Sequence, residues 1–239
     1  EDIALFQKLN RTQIVCPGTG TWTNFVENVA TEEVNICRMA ELGYRYGAEG
    51  VLNTNWGDFG NPCSLELAMY GMVLGAAKSW TVQTKADESF RKAVNHLLYR
   101  NEYGAEYLVR LSGIGRQMRW YNFVEIYSNC IYDKKLKVDI PAENVLVETQ
   151  KACEDFMRQL SKEQWENDEY RRELLLAAEG IALMSELTAQ AAGYSMPRHT
   201  DTEIWLKKYR QKWLEKNKES ELSEIEKVFL FMDRKGSKI

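Results

Sequence analysis

Trp56 and Asp58 stand two residues apart, immediately beyond the short apolar run Val51-Leu52. An indole offers a flat apolar face to a sugar ring, and a carboxylate accepts hydrogen bonds from hydroxyls. Gly57 between them allows the backbone to turn so that both side chains reach one cavity. If Val51-Leu52 is a parallel strand, the two residues fall at its carboxyl end, where α/β folds bind ligands. The competing reading is a buried core tryptophan and an Asp that caps its own turn, and composition alone favours it.

Other reactive types carry less. Cys16 ends an apolar run, but no histidine is placed to activate it, so a buried small side chain is expected. His96 sits in a helical run and His199 precedes a helix start; surface or structural roles are expected of both. The five cysteines (Cys16, Cys37, Cys63, Cys130, Cys153) show no CxxC pairing, and no Cys, His or acid falls at zinc-ligand spacing. Free thiols in a reducing, cytoplasmic compartment are expected, with no metal and no cofactor. Trp120, Tyr121, Tyr127 and Trp165 read as core aromatics.

The elements that would position Trp56 and Asp58 follow from periodicity. Gln13-Ile14-Val15-Cys16, stopped by Pro17-Gly18, suits a buried strand. Val34, Ile36, Cys37, Ala40, Leu42 and Tyr44 recur at near-helical spacing over residues 32–46. Gly50 to Thr54 reads as a second strand and Leu65 to Ser79 as a second helix. Strand, helix, strand, helix with short connections implies parallel strands and right-handed crossovers. Glycines cluster before Trp80, and from Lys85 onward helix follows helix. Thr84-x-x-Asp87, Ser161-x-x-Gln164 and Thr200-x-x-Glu203 read as capping boxes, and Pro141 suits a first helical turn.

With 239 residues, 44% hydrophobic and 28% charged, the chain can build one large core or two modest ones. A net charge of −4 with mixed signs leaves no basic block for nucleic acid. No apolar run reads as a membrane span. The chain opens without methionine, inside a helical pattern, and no secretory signal is legible, which reads as a fragment or processed product.

Three stretches carry a family resemblance. The run from Gly50 to Pro62, followed by Gly71-Met72-Val73-Leu74-Gly75-Ala76-Ala77-Lys78-Ser79-Trp80, is similar to the closing strand and helix of family 20 glycoside hydrolases. Cys16-Pro17-Gly18-Thr19-Gly20-Thr21-Trp22 looks like their penultimate strand and loop. Trp213 to Leu222 resembles a tail of a bacterial subgroup with a helical extension, although a solvated helix end is the favoured reading of that charge-rich run. The resemblance implies an exo-β-N-acetylhexosaminidase, which removes terminal N-acetylglucosamine or N-acetylgalactosamine by a substrate-assisted retaining mechanism. It implies a pocket wall from Trp56, a hydroxyl anchor from Asp58 and a further wall from Trp22. Two departures stand out: Asn61 replaces a histidine common among relatives, and Trp22-Thr23-Asn24 is the nearest counterpart of a Tyr-x-Asp pair.

The family's catalytic Asp-Glu pair follows a buried strand. Here Glu1-Asp2 has no strand before it, and Asp87-Glu88, Glu154-Asp155 and Asp168-Glu169 fall in helical patterns. No catalytic residue is therefore assigned, and the pair is expected outside this chain. The expected fold is α/β plus α: residues 1–82 as the last two βα units of a TIM (β/α)8 barrel, residues 83–239 as a mainly α-helical C-terminal domain. The expected partner is an N-acetylhexosamine-containing glycan, with no nucleic acid and no membrane; a homo-oligomer stays open. The alternative is a non-catalytic helical interaction module.

Overall fold

The computed structural model describes residues 2–132 and 138–234. Helix α1 (Asp2–Lys8) leads into strand β1 (Ile14–Val15), helix α2 (Val29–Arg45), strand β2 (Gly50–Val51) and helix α3 (Met69–Trp80). Among the described residues seven α-helices follow: α4 (Glu88–Val94), α5 (Gly104–Gly115), α6 (Trp120–Tyr132), α7 (Glu143–Leu160), α8 (Asp168–Ala191), α9 (Thr202–Lys216) and α10 (Leu222–Arg234).

This overturns the barrel expectation. The strands pair in parallel, Ile14 with Gly50 and Val15 with Val51, and one isolated bridge joins Gly18 to Thr54. No other sheet exists among the described residues; the protein is mainly helical, and the TIM (β/α)8 reading is wrong for it. The physical reason is visible at the strands themselves. Pro17 has no amide hydrogen to extend the ladder. Of the four strand residues only Val15 is buried, at 3% exposure, while Ile14 is 56% exposed. Strand side chains therefore contribute little core, whereas a barrel interior is built from them.

The core lies among the helices. From Ala177 to Ala191, α8 is buried on almost every face, as expected of a helix that is apolar all round. It alone among the described helices has the length and apolarity to cross a membrane, yet 83% of that stretch is buried inside the protein. The sequence reading found no such run because Glu173, Glu179 and Glu186 interrupt it. Glu186 is satisfied internally, accepting from Gln150 Nε2 at 2.7 Å and from the backbone amides of His199 and Thr200. Helices α5, α6, α7, α9 and α10 all pack on α8. Gly180 admits Trp205: a methyl group there would lie 2.6 Å from the indole. Trp205 Nε1 donates to the Leu176 carbonyl at 3.1 Å.

An aromatic cluster ties the N-terminal segment to these helices. Phe25 meets Trp120, Trp205, Tyr209 and Phe229 at ring-centroid distances of 5.6 to 6.1 Å. Edge contacts and stacking of this kind add to the area each ring buries.

Helix starts differ from the expected capping boxes by small shifts. Asp87 caps α4 through Phe90 N, and Asp201 caps α9 through Ile204 N. A carboxylate is the stronger acceptor, and in each case it displaces the nearby threonine. Ser161 ends α7 instead of starting a helix, and Pro141 precedes the Ala142 cap.

Phe229 is fully buried against Trp120, Phe123 and Trp205. Phe229→Ala should cost about 3–5 kcal/mol, read as a lowered urea midpoint with an unchanged slope.

Candidate functional site

Beyond β1 and β2, two loops zip together. Thr19 N donates to the Thr54 carbonyl at 2.9 Å and Thr54 N to the Pro17 carbonyl at 2.8 Å. Side chains complete the seam. Thr19 Oγ1 donates to Asn55 Oδ1 at 2.8 Å. Thr21 Oγ1 lies 2.5 Å from the same oxygen and 3.0 Å from the Trp56 carbonyl, its one hydrogen serving either.

This seam orients the indole of Trp56. Its Nε1 donates to Thr54 Oγ1 at 2.9 Å, and that hydroxyl donates to the Pro17 carbonyl, also at 2.9 Å. Trp56 is 62% exposed, so it is not a core residue. Trp22 is half-buried on the same side: a methyl group on Gly18 would lie 3.2 Å from Thr54 Oγ1 and 3.4 Å from the Trp22 ring. Gly18 thus lies close to both Thr54 and the Trp22 ring. Asp58 is exposed, and its carboxylate takes no side-chain hydrogen bond or ion pair among the described residues. A ligand with an apolar face and hydroxyls would find both complements at this edge.

The turn after Asp58 is held by the helices. Phe59, Gly60 and Asn61 all adopt left-handed backbone, with φ of 55, 92 and 49°. For phenylalanine this conformation is costly and needs outside support. The support is specific. Trp120 Nε1 donates to the Phe59 carbonyl at 2.8 Å, and the Tyr121 ring stands 5.4 Å from that of Phe59. Gly60 presses on Ile225 of α10, and Tyr209 of α9 donates its hydroxyl to the Pro62 carbonyl at 3.0 Å.

Beneath the seam lie two fully buried carboxyl groups, Glu27 and Glu32. Glu27 Oε2 accepts the Gly71 amide in the first turn of α3 at 3.2 Å. Glu32 Oε2 accepts the Gly20 amide, between Thr19 and Thr21, at 3.0 Å. The two carboxyls converge on Gly71, where a methyl group would lie 2.7 Å from Glu32 Oε2. Burial, followed by the neighbouring Glu32 carboxylate, raises Glu27 well above the usual carboxyl range, against the backbone amides of Gly71 and Tyr70. Burial is also the main cause that pushes Glu32 up to about 7, opposed by its bonds to Gly20 and Glu27.

Neither glutamate stood out in the sequence, nor did Thr19, Thr21 or Asn55. The close-packed glycines Gly20 and Gly71 were the available signal, since each marks a place where a side chain comes against backbone. The weaker candidates scatter. Cys16 is exposed, not buried as expected, because successive side chains of an extended segment alternate and Val15 between Ile14 and Cys16 takes the inward side. His96 and His199 are exposed, and His199 Nδ1 lies 2.5 Å from Glu154 Oε1. Of the acid pairs, Glu1 lies outside the described residues. Asp87-Glu88 starts α4, Glu154-Asp155 lies on α7 and pairs with His199 and Arg158, and Asp168-Glu169 starts α8 and pairs with arginines and lysines.

The acidic groups set a pH optimum of stability. Glu32, raised in the folded state, contributes stability present below its unfolded value and lost as pH rises through about 7. Burial disfavours the charge on Glu169, but hydrogen bonds from Lys212 and Lys216 outweigh it and hold the carboxyl at about 2. Its stability is present above the unfolded value and lost as pH falls toward 2. Urea unfolding should therefore show a maximum near pH 5 and a decline by pH 8 on the order of a few kcal/mol. Glu32→Gln should flatten the alkaline limb. No protein-family model matches this chain, and no curated protein matches it.

Proposed function

We propose that this chain is the C-terminal part of an exo-β-N-acetylhexosaminidase resembling family 20 glycoside hydrolases. In this reading it lends Trp56, Asp58 and Trp22 to the subsite for a terminal N-acetylhexosamine. The observation that carries the reading is the edge beyond β1 and β2, where an exposed indole is oriented by a hydrogen-bond relay two residues before an exposed carboxylate, Asp58. Solvent exposure of a large aromatic, with its orientation set by a buried seam, suits stacking on a sugar ring better than it suits core packing.

The chain's own residues bind and orient in this scheme; they transfer no proton. The acetamido oxygen of the substrate would act as nucleophile, with the orienting Asp and the proton-donating Glu supplied from outside this chain. The adjacent acid pairs among the described residues lie on helices, with ion-pair partners of their own. A cytoplasmic setting and the absence of a cofactor belong to the same proposal.

A second reading, a helical interaction module, draws on a different observation. Trp80 is 92% exposed, and Tyr44 and Val34 are also strongly exposed. Sugar binding separates the two. At about −0.3 kcal/mol per heavy atom, a monosaccharide of about 15 such atoms should bind with a Kd on the order of 1 mM. Titration with N-acetylglucosamine should perturb tryptophan emission in that range. Trp56→Ala should abolish the response, and Asp58→Ala should weaken binding about tenfold through loss of a charge-assisted hydrogen bond. No response up to saturating sugar would favour the interaction module. The pure chain should release no nitrophenol from a nitrophenyl N-acetylglucosaminide; measurable release would overturn the assignment of the catalytic pair elsewhere.

A further inference from the structure

Trp80 ends α3 with 92% of its surface exposed, and Tyr44, next to the last residue of α2, is 75% exposed. Single exposed aromatics are ordinary. These two line one depression of about 390 Å³. Glu49, Gly50 and Val51 bring the amino end of β2 to it, whereas Trp56 lies beyond the carboxyl end of that strand. Small residues leave the room between the rings. Ala40 and Ala48 line the space, and a methyl group on Gly50 would meet nothing within 4 Å.

The charge distribution around this depression favours a cation. The face of an aromatic ring is the negative pole of its quadrupole. Both α2 and α3 line the depression with residues of their last turns, and so present to it the negative end of the helix dipole. Glu49 is exposed, and its carboxylate takes no side-chain hydrogen bond or ion pair among the described residues. Lys78 is the one basic residue that lines the space; Arg45, which follows Tyr44, does not. The Lys78 side chain is only 1% exposed and its ammonium is fully engaged. It donates to Glu41 Oε1 at 2.9 Å, to the Val82 carbonyl at 2.5 Å and to the Thr84 carbonyl at 3.0 Å. Glu41 balances that charge, and the two carbonyl bonds fold the segment after Trp80 back against α3. An anion would meet Glu49, and a neutral ring would gain nothing from it. A compact metal ion needs more oxygen ligands than one carboxylate. An alkylammonium group keeps its charge spread over apolar methyls, so it can use both rings and the carboxylate together.

We propose that the depression between Tyr44 and Trp80 is a binding site for an alkylammonium group, with the two rings against its methyls and Glu49 as its counter-ion. The group is either a free quaternary amine or the methylated side chain of a lysine in a polypeptide. No covalent step is involved. The site shares no residue with the Trp22, Trp56 and Asp58 edge, so it stands or falls independently of the sugar-subsite reading.

The test titrates choline chloride into the full chain, with sodium chloride holding the ionic strength constant. Saturation transfer from the protein to the N-methyl protons is read by nuclear magnetic resonance. Transfer should saturate with a Kd on the order of 10 mM, as suits a ligand of about seven heavy atoms. The alcohol 3,3-dimethylbutan-1-ol has the same shape without the charge and should bind about tenfold more weakly. Trp80→Ala and Tyr44→Ala should each weaken choline about fivefold, and Glu49→Gln about threefold. All three side chains are exposed, so these variants keep the fold. Gly50→Leu fills the space and should abolish transfer, whereas Trp56→Ala should leave it unchanged. Equal binding of the alcohol, choline binding that survives both aromatic substitutions, or no saturable transfer by about 100 mM would overturn the proposal. The source is decided by the methylamide of Nα-acetyl-Nε-trimethyllysine: tighter binding than choline assigns the group to a polypeptide side chain, and weaker binding assigns it to a free amine. N-acetylglucosamine should not compete with choline, so failure of either site leaves the other intact.

Discussion

The constraint on which the rest depends is the burial of α8. A 24-residue helix with almost no solvated face over its second half must be surrounded, and five helices surround it. Each apolar side chain so covered contributes about 1.5–3 kcal/mol relative to exposure. That demand organises α5, α6, α7, α9 and α10, and it leaves the short parallel pair at the periphery. It also decides where the aromatic cluster forms. Trp205 can lie across α8 only because Gly180 has no side chain, and Phe25 then joins the N-terminal segment to the same cluster.

The edge that bears Trp56 and Asp58 inherits its order from this core. Three consecutive left-handed residues after Asp58 would not hold in isolation, since such conformations cost about 1–3 kcal/mol each for non-glycine residues. Trp120, Ile225 and Tyr209 hold them, and all three come from helices that pack around α8 or α9. The helical part therefore shapes the turn that carries the candidate carboxylate. On the other side, the indole is oriented by threonines whose own loop rests on buried carboxyls. The exposed indole is oriented by a chain of hydrogen bonds that runs from Thr54 to the Pro17 carbonyl.

The helices were largely legible because amphipathic periodicity is local. Residues 32–46, picked out by their apolar spacing, correspond to α2 within a few residues, and the run of helices expected from Lys85 onward corresponds to α4 through α10. The helix starts were less so, because a threonine and an aspartate close together both suit a cap and the stronger acceptor wins only in three dimensions. The barrel expectation failed for a related reason. Short apolar runs between glycines and prolines fit a buried strand and a two-residue bridge equally well, and only the absence of further strands among the described residues tells them apart.

By itself the sequence determined the residue types at the edge, the parallel order of two short extended segments and the helical character of the chain beyond Lys85. These are consequences of side-chain chemistry and periodicity along the chain. The tertiary structure decided that Trp56 faces solvent with its indole bonded to Thr54, and that Glu27 and Glu32 meet at Gly71. No local pattern encodes the last of these. Gly71 is separated from the two glutamates by 44 and 39 positions, and only packing of α3 against α2 brings the two carboxyl groups together out of water.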